Sequence, residues 1–416
     1  MAQPRLEDID VSGKRVLVRE DLNVPLEAGR VADATRIVAA VPTLRDLSSR
    51  GARVIVMSHL GRPDGKVVES LRMAPVAKAL SQVLGSEVKT ASDCIGDAAV
   101  QAVAALRNGD VLLLENLRFH AGEEANDPEF AKSLASLGDL YVNDAFGTAH
   151  RAHASTVGIT AYLPSYMGPL MARELEILDR VLLHPHRPFV AVLGGAKVSD
   201  KIGVIERLLG MCDAIVVGGG MANTLLAAEG FDVGKSLRDA DLGPAKAIMQ
   251  TAEGSHANLH LPKDAVVATS IYATDDQTRE IPIADVAPAE MILDIGPDTA
   301  VDFRFVILKA KTVLWNGPMG VFENDAFSAG TESVGRAIVD SGALSVAGGG
   351  DTAAAAHKFG LADALTHIST GGGATLEYIE GKELPGVAAL RRSVGSRNVG
   401  SSSIGSSSIG PSGPIS

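Results

Sequence analysis

Lys197 and Lys201 stand behind the glycine pair Gly194-Gly195, in the stretch Phe189–Ile202, FVAVLGGAKVSDKI. The apolar run Phe189–Leu193 has the length of a buried strand, and two glycines let the backbone turn sharply after it. A helix beginning near Ser199, a residue type suited to an N-cap, puts Lys201 in its first turn, where the helix dipole disfavours a cation. An anion between the lysines and the helix N-terminus removes that conflict. Without one, the stretch is a strand, a turn and a helix with two solvated lysines.

Polar groups follow other apolar runs in the same way. Asp21-Leu22-Asn23 comes after Arg15–Arg19, Ser58-His59-Leu60-Gly61-Arg62 after Arg53–Met57, and Glu115 to Arg118 after Val111–Leu114. Asp144 to His153, with Arg151, comes after Leu140–Val142, and Arg36 opens the first helical stretch. In open α/β sheets ligands bind at the carboxyl ends of strands, so these are the informative positions. Guanidinium forks match phosphate and carboxylate oxygens, and Arg36, Arg62, Arg118 and Arg151 at successive strand ends suggest a small, multiply charged anion. Each arginine alone reads more readily as a surface ion pair. His59, His150 and His153 carry less weight, since a histidine after a strand is often only hydrogen-bonded structure.

The second half of the chain offers glycine instead. Gly218-Gly219-Gly220, Asn316-Gly317-Pro318, Gly348-Gly349-Gly350 and Gly371-Gly372-Gly373 each follow an apolar run. Bare amides at a helix N-terminus cradle phosphates, although a single triglycine is also a plain tight turn. Asp351-Thr352 follows Gly350, so Asp351 is either an N-cap or a magnesium ligand. Glu323 either accepts from a ribose or faces water. Two nucleotide fingerprints are missing: Gly230–Ser236 has its glycine one residue too close to GKS for a Walker A loop, and no GxGxxG follows the first strand. The second absence argues against a dinucleotide-dependent dehydrogenase.

Elements that hold these groups can be read from periodicity. Strands at Arg15–Arg19, Arg53–Met57, Val111–Leu114 and Leu140–Val142 alternate with amphipathic helices at Thr35–Ser49, Ala74–Leu84 and Asp97–Arg107. The alternation resumes with strands at Phe189–Leu193, Ala214–Val217, Ala265–Ala268, Thr312–Trp315, Leu344–Ala347 and Thr366–Ser369. Such alternation gives right-handed βαβ units and parallel sheets. The expected class is α/β, with two doubly wound, Rossmann-like domains joined by an interdomain helix at 167–183. The first domain covers 1–166 and the second 184–372. A Ser/Gly-rich segment, 391–416, contains GSSSI twice and is expected to be a flexible tail.

Composition narrows the classes. With 416 residues the chain exceeds one ordinary core. A net charge of −12 argues against nucleic acid or an anionic membrane as the main partner. Cys94 and Cys212 form no CxxC or zinc pattern, so reduced thiols are expected. The N-terminus, MAQPRLEDID, lacks the apolar core of a secretory signal, and no uninterrupted apolar run is long enough to span a bilayer. A cytoplasmic location is the expectation.

From about Val16 to Leu390 the chain resembles the phosphoglycerate kinases. The resemblance rests on DLNVP (21–25), SHLGRP (58–63), LENLRFH (114–120), DAFGTAHRAHAS (144–155), GGAKVSDKI (194–202), GGGMANT (218–224), WNGPMGVFE (315–323), GGGDTAA (348–354) and STGGGA (369–374). It implies an N-terminal phosphoglycerate-binding domain, a C-terminal magnesium-nucleotide domain, and a segment, 373–390, returning to the first. It also implies a monomer acting on 3-phosphoglycerate, 1,3-bisphosphoglycerate, ADP and ATP. Matched motif to motif, Asp21, Leu22, Asn23, Arg36, His59, Leu60, Gly61, Arg62, Arg118 and Arg151 would hold the three-carbon substrate. Lys197, Lys201, Gly219, Glu323, Gly349, Gly350, Asp351 and Thr352 would hold the nucleotide, with Asp351 on magnesium. Glu20 departs from the pattern, standing where the family usually has a small or apolar residue.

The implied reaction needs no general base, because its nucleophile towards ATP is a carboxylate already ionised at neutral pH. Placement and charge neutralisation are what phosphoryl transfer requires. Arg36, Lys197 and the amides of Gly371, Gly372 and Gly373 are assigned to the transferring phosphoryl group, and Arg62, Arg118 and Arg151 to the distal phosphate. The resemblance further implies that closure of the two domains completes the set.

Overall fold

Apolar runs buried on both faces form the middle of each sheet in the computed structural model, which describes residues 6–400. That pattern belongs to parallel strands covered by helices on both sides. The chain divides into two units: residues up to Ala172 together with those from Glu383 onward, and Arg173–Lys382.

The first unit contains β1 (Arg15–Arg19), β2 (Leu26–Glu27), β3 (Arg30–Val31), β4 (Arg53–Met57), β5 (Val88–Thr90), β6 (Val111–Leu113), β7 (Leu140–Asn143) and β8 (Ser165–Met167). β2 and β3 pair only with each other, as an antiparallel hairpin. The other six form one sheet in the order β5-β6-β4-β1-β7-β8, with every pairing parallel. The order reverses at β1, between β4 and β7, which opens a crevice at the carboxyl ends of these three strands. The helix Thr35–Ser49 buries Ile37, Ala40, Val41, Leu44 and Leu47 on one stripe, in one cluster with Val54 and Val56 of β4. Pro42 lies inside that helix, and the buried stripe offsets its missing hydrogen bond.

The second unit contains β9 (Phe189–Leu193), β10 (Ala214–Val217), β11 (Asn258–His260), β12 (Asp264–Ala268), β13 (Arg279–Pro282), β14 (Met291–Ile295), β15 (Thr312–Asn316), β16 (Leu344–Ala347) and β17 (His367–Ile368). Its parallel sheet runs β11-β10-β9-β15-β16-β17, so the switch point lies between β9 and β15. The run Ala265–Ala268, expected in this sheet, instead forms β12 at the centre of a small antiparallel sheet, β13-β12-β14. Both faces of β12 are buried: Ala265 and Val267 pack with Leu226 and Val233, Val266 and Ala268 with Leu293 and Phe327. An apolar run announces such burial but not the direction of the neighbouring strand.

The joining helix spans Pro169–Leu182, and the division between units falls inside it rather than at its ends. Asp144 accepts from Met171 N at 3.0 Å and fixes the first turn within unit one. Further along, Glu174 and Asp179 belong to unit two, where Glu174 accepts from Thr370 N at 2.9 Å and Asp179 accepts from the Tyr378 hydroxyl. The helix Gly373–Ile379 also stays in unit two, so the returning segment begins at Glu383 rather than 373. The last helix, Pro385–Gly400, runs ten residues into the stretch read as a tail. Val387 to Leu390 are buried and nucleate it, and propagation is cheaper than nucleation. Residues 401–416 lie outside the described residues.

Candidate active site

At the crevice of the first unit, the end of β1 is braced from three sides. Leu22 N donates to Ser58 Oγ at 2.9 Å, and Gly61 N donates to Asn23 Oδ1 at 2.9 Å, so the loops after β1 and β4 hold each other. Asn116 ties in the loop after β6. Its Oδ1 accepts from Leu60 N and Arg118 N, both at 3.1 Å, and its Nδ2 donates to Leu60 O at 2.7 Å. Arg118 Nη1 then donates to Gly61 O at 2.8 Å, while its Nε lies 3.0 Å from Glu124 Oε1 at an angle unsuited to a hydrogen bond. Arg36 Nη1 donates to Asp21 Oδ2 at 2.9 Å and Asn23 O at 3.2 Å. Arg62 is exposed with no partner among the described residues, and Arg151 engages His150 through Nε at 3.2 Å.

Arg19, the last residue of β1, is fully buried beneath this group and donates to Ser155 Oγ at 2.8 Å and to Glu20 O. Its Nη2 lies 3.2 Å from His59 Nδ1, which must therefore accept. Burial, then Arg19, Arg118, Arg36 and Arg151, push His59 well below the ordinary histidine range, so the ring is neutral and the four cations converge on it. His153 is likewise pulled down, to about 3, by burial, then Arg19, Arg118, Arg151 and His150. His59 and His153 thus add no positive charge to that of the arginines. Glu123 is buried beside Arg19 and accepts from Ser155 Oγ at 2.5 Å and Ser155 N at 3.0 Å.

Glu20 is the anomaly. It is fully buried, and neither carboxyl oxygen has a hydrogen-bond partner. Burial, then Asp144 and Asp21, raise its pKa well above the ordinary value, against the lowering effect of Arg19. Asp144 itself is raised to about 6 by burial, with hydrogen bonds from Thr43, Met171 and Leu170 opposing.

In the second unit the turns after β9 and β15 touch backbone to backbone. A Cβ on Gly194 would lie 1.9 Å from Pro318 O, and one on Gly317 would lie 2.3 Å from Gly194 O. Only glycine permits that approach. Lys201 Nζ links the same turns, donating to Gly194 O at 2.7 Å, Asn316 Oδ1 at 2.5 Å and Asn316 O at 3.2 Å. The expected anion is therefore not needed to satisfy Lys201. Burial draws its pKa down to about 8, against the pull of Asp351 and Asp200. Ser199 does not cap the helix: a 3-10 turn covers Ser199–Lys201, the α-helix starts at Ile202, and Ser199 bonds Asp239 instead, at 2.9 and 3.0 Å. Lys197, by contrast, is exposed and has no partner among the described residues.

Glycine-led helices surround these turns. Gly219 opens one after β10, with φ 64°, and its amide donates to Met319 O at 2.8 Å. After β16, Gly349 (φ 97°) leads into the helix Gly350–Lys358, and nothing lies within 4 Å of a Cβ built on Gly350. Thr352 is buried; its hydroxyl donates to Gly348 O and accepts from Gly317 N, both at 2.8 Å, so it braces the two turns and leaves only its backbone for a ligand. Asp351 is exposed, its carboxylate without a hydrogen bond among the described residues. That state suits magnesium, which takes one or two carboxylates and fills its remaining positions with water and phosphate oxygens. Glu323 is also exposed. After β17, Gly371 N donates to Ser369 Oγ at 3.1 Å, whereas the Gly372 and Gly373 amides at the start of their helix have no acceptor among the described residues. Glu174 holds this corner from behind, through Thr370 and through His367 Nε2 at 2.9 Å. Gly230–Ser236 follows a helix rather than a strand.

The structure brings each set together at the carboxyl edge of one sheet. Arg19 and Glu174 were not foreseen, although Arg19 gave a signal as a charged residue closing a strand otherwise destined for burial; Asn116 lies in the Glu115 to Arg118 stretch that the strand-end rule picked out.

The comparisons with known proteins agree along almost the whole chain. The family profile for phosphoglycerate kinase matches residues 6–382. The phosphoglycerate kinase of Pelotomaculum thermopropionicum is 56% identical over 392 residues, covering 94% of this chain and 99% of that protein. That of Moorella thermoacetica is 54% identical over 391 residues, with the same coverage. Among solved structures, phosphoglycerate kinase from Coxiella burnetii superposes with a TM-score of 0.84 at 41% identity, and that from Pyrococcus horikoshii with 0.84 at 36%. Each covers 94% of this chain and 99% of the other.

Proposed function

Since the chain belongs to the phosphoglycerate kinase family, we propose that the crevice of unit one holds the three-carbon substrate and the glycine-led helices of unit two hold the nucleotide. The family's reaction is the glycolytic phosphoryl transfer between 1,3-bisphosphoglycerate and ADP, giving 3-phosphoglycerate and ATP, and this chain is a phosphotransferase of that kind. The observation that carries the assignment of sites is the convergence of Arg19, Arg36, Arg118 and Arg151 on a neutral His59 at one switch point.

Arg118 and Arg151, with the unpartnered Arg62, clamp the distal phosphate of the substrate. His59, with Nδ1 accepting from Arg19, offers Nε2–H to a substrate oxygen. Asp21, Leu22, Asn23, Leu60 and Gly61 shape the floor, and Arg36 presents its free edge to the transferring phosphoryl group. Lys197 approaches that group from the nucleotide side, and the amides of Gly372 and Gly373 add donors where charge builds. Gly371 uses its own amide internally and acts by setting that turn.

Gly219, Gly349, Gly350 and the Thr352 backbone line the nucleotide phosphates, Glu323 takes the ribose, and Lys201 supports the Gly194 turn while adding charge beside Asp351. Asp351 would hold magnesium, which when bound neutralises phosphate oxygens. No residue need take a proton, so the work of the site is placement and charge. Each unit supplies part of the set.

We place the protein in the cytoplasm as a monomer, with no nucleic acid or membrane as partner. Both cysteines are free and buried, and among the described residues no helix is long and apolar enough to cross a membrane. The test of the function is 3-phosphoglycerate-dependent ATP consumption in magnesium, and of the assignment, its loss in Arg36→Ala and Lys197→Ala. Normal turnover in either variant would refute the role of that residue.

A further inference from the structure

We infer that Asp93, Cys94 and His120 form a binding site for a zinc-class divalent cation, separate from the phosphoryl-transfer groups. β5 and β6 are neighbouring parallel strands, so their carboxyl-end loops lie side by side. The first loop supplies Asp93 and Cys94, ahead of the helix Gly96–Ala104, and the second supplies His120, after the turn Leu117–Phe119. One ligand atom from each residue falls within 4.8 Å of the other two.

Tetrahedral zinc with bonds of 2.0–2.3 Å sets its ligands roughly 3.3–3.8 Å apart, so small rotations seat all three. His120 Nε2 is 2.7 Å from Asp93 Oδ1, a contact in which a proton stands where the metal would bridge. The imidazole is steadied by the Phe130 ring, with centroids 5.3 Å apart. Asp93 and His120 side chains are 43% and 31% exposed, which gives a path from solvent, while Cys94 closes the inner side and is fully buried. Three protein ligands with water in the fourth place is the pattern of an open zinc site.

Ligand chemistry fixes the class of cation. A thiolate with imidazole selects zinc, cobalt or a similar borderline ion and disfavours magnesium and calcium, which want oxygen alone. Without metal, burial pushes the Cys94 thiol up, which leaves it an inert thiol. His120 follows Arg118 by two residues on one turn, so an occupied site would brace the loop that carries that arginine.

The test is titration of the full-length, chelator-treated, reduced protein with Co2+, read by absorption. One equivalent is expected to give a thiolate-to-cobalt charge-transfer band and intense tetrahedral d–d bands, both displaced by Zn2+. Cys94→Ser should abolish the charge-transfer band and Cys212→Ser should keep it. Absence of the band in the parent, its survival in Cys94→Ser, or its loss in a folded Cys212→Ser overturns the proposal. Should Cys94→Ser fail to fold by circular dichroism, Asp93→Asn and His120→Asn decide, with at least about tenfold weaker Co2+ binding expected in each. Unchanged affinity in both overturns it.

Discussion

Arg36 allows the proposed catalytic role to be separated from stability. Its Nη1 is engaged by Asp21 and Asn23, while Nε and Nη2 donate to none of the described residues. The ion pair with Asp21 joins side chains 32% and 13% exposed, and pairs of that kind contribute about 0.2–1 kcal/mol to folding. A preorganised donor on a charge that develops in the transition state contributes about 2.7–4 kcal/mol, or roughly 100- to 1000-fold in kcat. Arg36→Ala should therefore lower kcat by at least about 100-fold while moving the thermal midpoint by no more than about 2–4 °C. Arg36→Lys keeps a cation for Asp21 but lacks the second edge of the guanidinium, so most of the loss should remain. The assay is steady-state ATP consumption with 3-phosphoglycerate and magnesium, beside thermal unfolding followed by circular dichroism. A kcat within threefold of the parent refutes the reasoning, and so does a loss of activity that merely tracks unfolding.

Other expectations follow from the same geometry. Glu20→Met removes a buried carboxyl with no hydrogen-bond partner and should stabilise the protein by about 1–3 kcal/mol at neutral pH, a rise measurable by urea unfolding. Since the Glu20 pKa is raised on folding, the gain should be small below the unfolded value of about 4.3 and grow as pH rises above it; equal gains at pH 4 and pH 8 would contradict this. For ADP, affinity by calorimetry should weaken as pH rises through about 8, where Lys201 loses its charge, and Lys201→Met should flatten that slope. Glu174→Ala strands the Thr370 amide and His367 and should cost about 1–3 kcal/mol per stranded group, lowering kcat more than nucleotide affinity because the Gly372 turn is loosened. Gly194→Ala, whose Cβ would meet Pro318 O at 1.9 Å, should abolish nucleotide binding or folding of unit two; a normal Kd for ADP would show the turn is not fixed as described.

Much of this was legible because the chain repeats one simple grammar. β1, β4, β9, β10 and β16 coincide with the apolar runs read from sequence, since five or so buried residues followed by a polar turn leave little freedom at the ends. The residues just past those runs were found by the strand-end rule, which needs no knowledge of side-chain contacts. What escaped depends on tertiary partners. β12 is as apolar as the strands of the parallel sheet, and only its neighbours β13 and β14 make it antiparallel. Lys201 looked like a cation waiting for an anion, yet the Gly194 turn just before it and the distant Asn316 turn supply its acceptors. The Thr352 hydroxyl is turned inward to Gly348 and Gly317, partners that no local pattern announces. Ser199 had the right type for a cap and found Asp239 instead. The division of the chain inside Pro169–Leu182 could not be seen at all, because it is set by Asp144 on one side and by Glu174 and Asp179 on the other.

The most direct test of the account is magnesium-dependent ATP turnover with 3-phosphoglycerate, measured side by side for the parent and Lys197→Ala at saturating substrates. We expect turnover in the parent and at least about a 100-fold lower kcat in the variant, with ADP affinity little changed. A folded parent that binds both substrates without turnover, or a variant with near-normal kcat, would contradict the placement of the chemistry at the turn after β9.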